Sequence, residues 1–440
     1  MQILQSKQQR NDINICELLR GEYFGMIFEL KTETKTIRYD TIAHSFDAQL
    51  PNDLVDEVVS SIDNKCECGD FTNKKDKVTN LKLLLGLKCN YSCRYCSQCF
   101  DRGLSNNKQT KSATIDSVLV STFNQYKNIK NIELWGGEPL VYFKTLKYVV
   151  EKLRNDIGYK EKIHFITNGS LLTDSITDFL IKNNIIVTIS HDGVSQKINR
   201  NKDDILDDES IVNNIKRLHE NGCFASMHIV VTNENVNFFD NSLFFDEKLF
   251  DGAPITIEGL VCLSKENIDK IDTFTTESQG TLIECFNMVG RDENLRHRVG
   301  GVYTKIANFI KTLNNPNHKL PKYSCNDSSD SVLSIDLNGN VLTCHTVEHI
   351  PELNIGNVLD DNVSFENRNK GFITWDERKT DCKNCVAFNV CRGGCGVINN
   401  DDHKTYHCMN KWLEGVATIS GAIGLLFGER LLSITRVENE

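Results

Sequence analysis

The chain has 440 residues, 40% of them hydrophobic, which is enough for two or three domains rather than one. Its net charge of −10, without a long Lys/Arg run, argues against nucleic acid or an anionic membrane as a partner. Seventeen cysteines in a chain with no apolar signal segment argue against a disulfide framework, and point to metal sites or redox chemistry in the cytoplasm.

Residues 1–63 read as a small α+β unit. Two β-like runs, 23–30 and 36–39, precede a helix that opens at Pro51 and sets Leu54, Val55, Val58 and Val59 on one face. Residues 64–80 are polar and charged and read as a linker. From residue 81 short apolar strands alternate with amphipathic helices. The strands are expected at 81–87, 131–135, 163–167, 185–190, 227–232 and 255–260. Between them lie a helix from Thr114 to about Lys127, one carrying Leu146, Val149, Val150 and Leu153, and one carrying Ile211, Ile215 and Leu218. This alternation implies an α/β fold with a parallel sheet, a partial (β/α)6 TIM-like barrel over 81–313, with its chemistry at the C-terminal strand ends. Pro316 and Pro321 mark a boundary. Residues 314–410 carry seven cysteines and few helical patterns, so that segment is expected to fold around metal. The apolar run 416–426 is too short for a bilayer and reads as a buried helix within a C-terminal segment 411–440.

Chemistry-bearing motifs follow the strands in order. Cys89-Asn-Tyr-Ser-Cys93-Arg-Tyr-Cys96 comes after the first. Three thiolates can hold three irons of a [4Fe–4S] cube and leave the fourth open, as a catalytic metal centre requires. With Cys99 as a fourth ligand the same residues would suit structural zinc. Gly136-Gly137-Glu138-Pro139 follows the second strand, and Thr167-Asn168-Gly169 ends the third. Ser190-His191-Asp192-Gly193 ends the fourth, with Arg200 shortly after. Each alone is a common turn. Together and in order they resemble the radical S-adenosylmethionine (SAM) superfamily. That resemblance implies that Cys89, Cys93 and Cys96 bind a [4Fe–4S] cluster whose open iron is chelated by SAM. One electron would then cleave the sulfonium to a 5′-deoxyadenosyl radical. It also implies that Tyr95 packs near the adenine, that Gly136, Gly137 and Glu138 lie at the methionyl amino group, and that Ser190 and Arg200 contact ribose or carboxylate. His191 stands where that family usually has an apolar residue.

A second array begins at Cys325, followed thirteen residues later by Gly339 and then Cys344. Next come Cys382-x2-Cys385-x5-Cys391-x3-Cys395 and finally Cys408. Seven ordered thiols exceed what one zinc needs and suit iron–sulfur clusters. The spacing resembles the SPASM domain that follows some radical SAM barrels. This implies two auxiliary [4Fe–4S] clusters, one on Cys382, Cys385, Cys391 and Cys408, the other on Cys325, Cys344 and Cys395. Many relatives place a further cysteine just before the position of Cys325; residues 318–324 here contain none. The second cluster is therefore expected to have an open iron or to borrow Cys262 or Cys285. Cys223 and Cys262, in or beside strands, otherwise read as buried hydrophobes.

SPASM-type enzymes mostly modify peptides or proteins. The hairpin and helix of residues 1–63 resemble the winged-helix-like leader-binding domain of enzymes that mature ribosomally made peptides, with a strand edge in 23–39 open to β-augmentation. The expected function is hydrogen abstraction from a precursor peptide and formation of a thioether or aromatic cyclophane cross-link. A leader-bearing precursor peptide and a flavodoxin- or ferredoxin-like electron donor are the expected partners. An alternative is a maturase that oxidises Ser or Cys to formylglycine, for which Asp336 and Glu258 are eligible bases. A non-catalytic iron–sulfur electron carrier or a zinc-stabilised peptide-binding protein would leave the three ordered strand-end motifs without a purpose.

Overall fold

A computed structural model describes residues 26–63, 74–96, 110–262, 268–313, 331–344, 354–360, 362–365 and 371–437. Cys16, Cys66, Cys68, Cys99 and Cys325 lie outside the described residues, as do residues 318–324.

Period-two burial organises the strands. At the N-terminal end β1 (Ile27–Thr32) buries Phe28, Leu30 and Thr32, and β2 (Thr36–Asp40) buries Ile37 and Tyr39. They pair antiparallel, followed by β3 (Ser45–Phe46) and helix α1 (Asn52–Asp63). The barrel sheet then begins. β4 (Asn80–Leu84), β5 (Asn131–Trp135), β6 (Ile163–Thr167), β7 (Ile185–Ser190), β8 (Phe224–Val231) and β9 (Ile255–Leu260) are parallel neighbours in chain order. The two-residue β10 (Val299–Gly300) pairs parallel with β9.

The returning helices are α2 (Ser112–Gln125), α3 (Phe143–Asn155), α4 (Asp174–Lys182), α5 (Gln196–Arg200), α6 (Glu209–Glu220) and α7 (Phe238–Lys248). Their apolar stripes, such as Leu146, Val149, Val150 and Leu153 of α3, join the buried strand residues in one core. After the barrel come α8 (Thr276–Arg291), α9 (Glu293–Arg298) and α10 (Val302–Thr312).

The parallel partial barrel is as expected, but it does not end at residue 313. β11 (Val332–Asp336) adds to the other edge, parallel to β4, and β12 (Asn340–Leu342) and β13 (Asn354–Asn357) continue antiparallel to give a ten-stranded sheet. β11 shows no alternation, because both its faces are buried. The chain then runs through α11 (Phe388–Cys391), α12 (Asn400–Asp402), a π-helical turn at His403–His407, and α13 (Cys408–Phe427).

Helix α13 is buried from Leu413 to Leu426 and packs on α8. Contact is close: a Cβ on Gly290 of α8 would overlap the backbone oxygen of Gly421. Among the described residues no helix is long and apolar enough to cross a membrane.

The C-terminal segment holds more than a helix. Gly428, at φ +70°, ends α13 in the left-handed region, and β14 (Leu431–Arg436) returns antiparallel to β1. The N-terminal sheet therefore has the order β14-β1-β2-β3. The boundary expected at residue 63 does not isolate it, and both edges of β1 are taken.

Candidate active site

Each strand-end motif holds the next in place. The loop bearing Cys89, Cys93 and Cys96 follows β4, and all three thiols are half-buried. Gly136 and Gly137, after β5, abut this loop. A Cβ on Gly136 would stand 2.6 Å from the Gly86 oxygen, and one on Gly137 would meet the Leu87 oxygen and, at 2.7 Å, that of Lys88. Backbone bonds from Gly137 N to Gly86 O (3.0 Å) and Glu138 N to Lys88 O (2.9 Å) seal the contact. These glycines are required by the backbone of the cysteine loop itself.

Glu138 is 1% exposed. Its carboxylate accepts from Leu140 N (2.9 Å), Thr167 Oγ1 (2.7 Å) and Asn168 N (2.7 Å), so it ties the end of β5 to the end of β6. Burial raises its pKa, opposed by these bonds. Asn168 in turn donates to Asn90 Oδ1 in the cysteine loop at 2.9 Å.

Asp192, after β7, is fully buried and is the hub of the site. It accepts from Tyr95 Oη (2.6 Å), Arg200 Nε (3.0 Å), Arg200 Nη2 (3.2 Å) and Val230 N (3.3 Å). The Arg200 guanidinium lies 5.8 Å from the Tyr95 ring centroid. Burial alone would lower the Arg200 pKa, but the Asp192 charge holds it above its ordinary value. Burial pushes the Cys93 thiol up to about 12 even though Arg200 pulls it down. Arg94 joins the cysteine loop to the far side of the barrel through Asn199 Oδ1 (3.2 Å), Glu234 Oε1 (2.5 Å) and the Lys270 oxygen (3.1 Å).

Ser190 is half-buried at the end of β7, in register with His228 of β8. His191 is buried and has a structural place: Nε2 faces Asp204 Oδ1 at 2.8 Å, and Nδ1 accepts from Gly193 N at 3.0 Å. Burial lowers its pKa, so the ring is neutral at pH 7.

Of the C-terminal cysteines, Cys344, Cys382, Cys385, Cys391, Cys395 and Cys408 are among the described residues. Cys382, Cys385, Cys391 and Cys408 are half-buried, and charges on Cys382, Cys391 and Cys408 would raise the Cys385 pKa. Burial takes Cys391 to about 12 and Cys408 to about 11. Arg378 binds the oxygens of Gly393 (2.9 Å), Cys395 (2.5 Å) and Ile398 (2.7 Å), wrapping the loop around these thiols. Cys344 is buried after β12. Cys223 is buried, as expected. Cys262 is not: it is exposed just beyond β9, with Sγ 3.4 Å from His407 Nδ1. Cys285 is buried on α8, its thiol towards Val236 O and Asn237 Oδ1, away from the array.

The model of the radical SAM superfamily matches residues 83–245, the stretch that carries these strand-end loops. The chain carries a radical SAM domain. It is 21% identical over 256 residues to the radical SAM cyclopropyl synthase TigE of Paramaledivibacter caminithermalis, covering 52% of this chain and 54% of that protein. The chain thus matches about half the length of that relative. It is 25% identical over 343 residues to the serine-type anaerobic sulfatase-maturating enzyme of Bacteroides thetaiotaomicron, covering 71% and 80% of the two chains. In fold it is similar to native anSMEcpe with bound AdoMet and Cp18Cys peptide, at a TM-score of 0.60 and 18% identity, over 80% of this chain and 99% of that one.

The barrel also has a polar interior that motif reading missed. Lys82, Glu133 and His164 are register neighbours on one face of β4, β5 and β6, and Lys82 Nζ is 4.0 Å from Glu133 Oε2. His228 on β8 lies within electrostatic reach of Glu133 and Glu258. Burial lowers its pKa, so it is neutral at pH 7. A signal was available: Leu81-Lys-Leu, Ile132-Glu-Leu, Ile163-His-Phe and Met227-His-Ile each set a polar residue into an apolar strand. A parallel sheet covered on both faces would be apolar throughout. Deeper in, Glu414 of α13 pairs with Lys305 (2.7 Å) and Lys411 (2.8 Å), and Lys305 also donates to the Glu258 oxygen (3.0 Å). Despite its burial, the two lysines hold the Glu414 carboxyl well below the usual range. The Asp336 carboxylate accepts from Asn338 N (2.8 Å), Asn340 N (2.9 Å) and Asn340 Nδ2 (2.8 Å) in its own turn.

Proposed function

We propose that this radical SAM enzyme modifies a ribosomally made precursor peptide, joining an unactivated carbon to a cysteine sulfur or an aromatic carbon. The observation that carries this reading is the conjunction of the strand-end site with a second thiol array docked on the N-terminal sheet. Asn389, between Cys385 and Cys391, donates to Tyr39 Oη (2.8 Å) and to the Thr41 oxygen (2.8 Å) of that sheet. A leader held there would lie beside the auxiliary cysteines. With β1 paired on both sides, the edges left for β-augmentation among the described residues are those of β14 and β3.

Three thiols on one loop, backed by Gly136 and Gly137, are the proposed holders of an open-iron [4Fe–4S] cluster with SAM, and the C-terminal thiols those of two auxiliary clusters, although among the described residues no group of three or more His, Cys, Asp or Glu side chains is already gathered as a metal site. The cluster and SAM supply a 5′-deoxyadenosyl radical when bound. Within the chain, Tyr95, Asp192 and Arg200 form a fixed wall for the cofactor, and Ser190 and Arg200 are its proposed polar contacts. His228 and Glu258 are the barrel-interior groups proposed to accept the proton released as the new bond forms. A flavodoxin- or ferredoxin-like protein is the proposed electron donor.

The second reading, oxidation of a Ser or Cys to formylglycine, is favoured by the match to 80% of the sulfatase-maturating enzyme. Anaerobic reconstitution, reduction with dithionite and addition of SAM tests both. About twelve irons per chain are expected, with 5′-deoxyadenosine that disappears in Cys93→Ala. Candidate peptides are then compared by tandem mass spectrometry. A cross-linked peptide loses two hydrogens and keeps two side chains joined; formylglycine shows a single altered residue; a new carbon ring within one residue would align the chemistry with the cyclopropyl synthase instead. Zinc in place of iron would refute both readings.

A further inference from the structure

The upper layer of the barrel interior is divided between two kinds of side chain. Paired residues on neighbouring strands point to the same face, as do residues two apart on one strand. Leu84 pairs with Trp135 just as Lys82 pairs with Glu133, so Leu84 and Trp135 share the interior face with those polar groups, one layer higher. Leu342 reaches the same face from β12, because it pairs with Ser334 of β11, which pairs with Lys82. With Leu87, these residues make a small apolar cluster apart from the main core. Ile166 of β6, two residues after His164, extends the row. On the β7–β9 side the interior positions are polar instead: Thr188 pairs with Ser226, and Ser190 with His228, which pairs with Thr256.

The apolar side is not closed off like a core. Leu84 and Leu87 are 3% exposed and Leu342 is 5% exposed, but Trp135 and Ile166 stay half-buried. The indole nitrogen of Trp135 is buried, so what its side chain leaves open is ring carbon. Trp135 immediately precedes Gly136 and Gly137, which abut the cysteine loop, and Leu87 stands two residues before Cys89. An apolar platform therefore lies at the cysteine loop, across the interior from Ser190, His228 and Thr256. Ligand sites are mostly apolar with a few placed polar groups, and aromatic rings supply much of their contact area. A polar side chain pressed on ring carbon would lose its water and gain no hydrogen bond there, whereas an apolar one gains by leaving water.

We propose that Trp135, backed by Leu84, Leu87 and Leu342, is the specificity platform for the substrate residue that gives up its hydrogen, and that this residue has an apolar side chain, aliphatic or aromatic. The proposal rests on the reading that the barrel modifies a peptide. It places the reacting carbon on an apolar residue and sets serine aside as the target.

The test uses the full chain, reconstituted anaerobically, with 5-fluorotryptophan at its three tryptophans. Trp135→Phe assigns the resonance of residue 135. N-acetyl-phenylalaninamide, N-acetyl-leucinamide and N-acetyl-serinamide are titrated with SAM present, and 19F spectra are recorded. The two apolar amides should shift the Trp135 resonance saturably and leave those of Trp375 and Trp412 in place; the serine amide should shift none. Ile166→Thr keeps the reporter ring but trades a methylene for a hydroxyl on the open row, and should weaken the leucine amide by about tenfold. No saturable shift from either apolar amide, or an equal shift from the serine amide, overturns the proposal. So does a Trp135 resonance that moves on adding SAM alone and then ignores the amides, because the ring is then a cofactor contact. A parent that takes up no iron refutes the reading beneath the proposal, and is recognised before any amide is added.

Discussion

Replacing Asp192 with asparagine removes the charge at the centre of the site while keeping its size. In the native chain the buried carboxylate compensates Arg200 through two hydrogen bonds, of 3.0 and 3.2 Å, and accepts from Tyr95 at 2.6 Å. Losing one partner of a buried ion pair costs about 3–5 kcal/mol, because the other charge stays buried and uncompensated. An asparagine also turns an amide donor towards donors. Arg200→Met should cost a similar amount for the mirror reason. The double variant removes both charges and should recover much of the loss, falling within about 2 kcal/mol of the parent, since replacing a whole buried pair is often close to neutral. The assay is anaerobic urea unfolding of the four proteins followed by circular dichroism, read as a double-mutant cycle, with SAM affinity measured on the same samples. SAM binding should weaken in both single variants and stay weak in the double, where Tyr95 no longer has its charged anchor. A single Asp192→Asn variant within about 1 kcal/mol of the parent, or a double variant as unstable as the sum of the singles, would refute the argument that the pair's worth lies in mutual compensation.

Gly137→Ala should expel the first cluster, because its Cβ would fall against the oxygens of Leu87 and Lys88; iron analysis should fall by about four per chain. Gly280→Ala, in helix α8 with nothing near a Cβ, is the control: it should leave iron unchanged and add about 0.5–1 kcal/mol of stability. Glu138→Gln should cost about 1.5–3 kcal/mol, the worth of a charged hydrogen bond, and the loss should shrink in a Thr167→Val background, where one of the three donors is already gone. His191 provides a pH test. Its folded-state pKa is lowered by burial, so the unfolded chain takes up a proton first as pH falls. Its contribution is complete above the ordinary histidine pKa and is lost below it. Asp204, whose pKa His191 lowers against the effect of burial, keeps its contribution until pH reaches the carboxylate range. Between pH 7.5 and 5.5 the parent should therefore lose more stability than His191→Gln; equal slopes in urea titrations would show that the ring is not held neutral.

What was legible in the sequence is what the chain encodes locally. The strands at 131–135, 163–167, 185–190 and 255–260 sit where alternation placed them, and the cysteine and glycine motifs fall at strand ends because each is a short loop with its own backbone demands. The reason for the glycines was not legible: a Cβ at 136 or 137 meets the oxygens of residues 86–88, a contact made only when β4 and β5 lie side by side. Asp192 was visible as a turn residue, yet its role as hub depends on Tyr95 of the cysteine loop, Arg200 of α5 and Val230 of β8, which arrive from three different elements. β14 was missed because the buried run before it dominates the C-terminal pattern, and its partner β1 lies some 400 residues away in sequence.

Cys262 and Cys285 mark where spacing stops being informative. Ligand sets are read from sequence when one loop carries them, since a few residues then fix the distances between sulfurs. A ligand borrowed across the fold has no spacing to read, and both cysteines were eligible. The two are separated only by what their elements do. Helix α8 packs its Cys285 inward against Val236 and Asn237, whereas β9 ends and releases Cys262 towards the turn before Cys408. The same contrast explains His403 and His407, which read as ordinary polar residues in Asp-Asp-His-Lys-Thr-Tyr-His. Only the π-helical turn brings the ring centroids to 5.7 Å and buries both rings, His403 with neither nitrogen partnered and His407 with Nε2 unpartnered. The polar barrel interior, with Lys82, Glu133, His164 and His228, is where a substrate entering the barrel would be selected. Peptide specificity should then respond to changes at those four side chains.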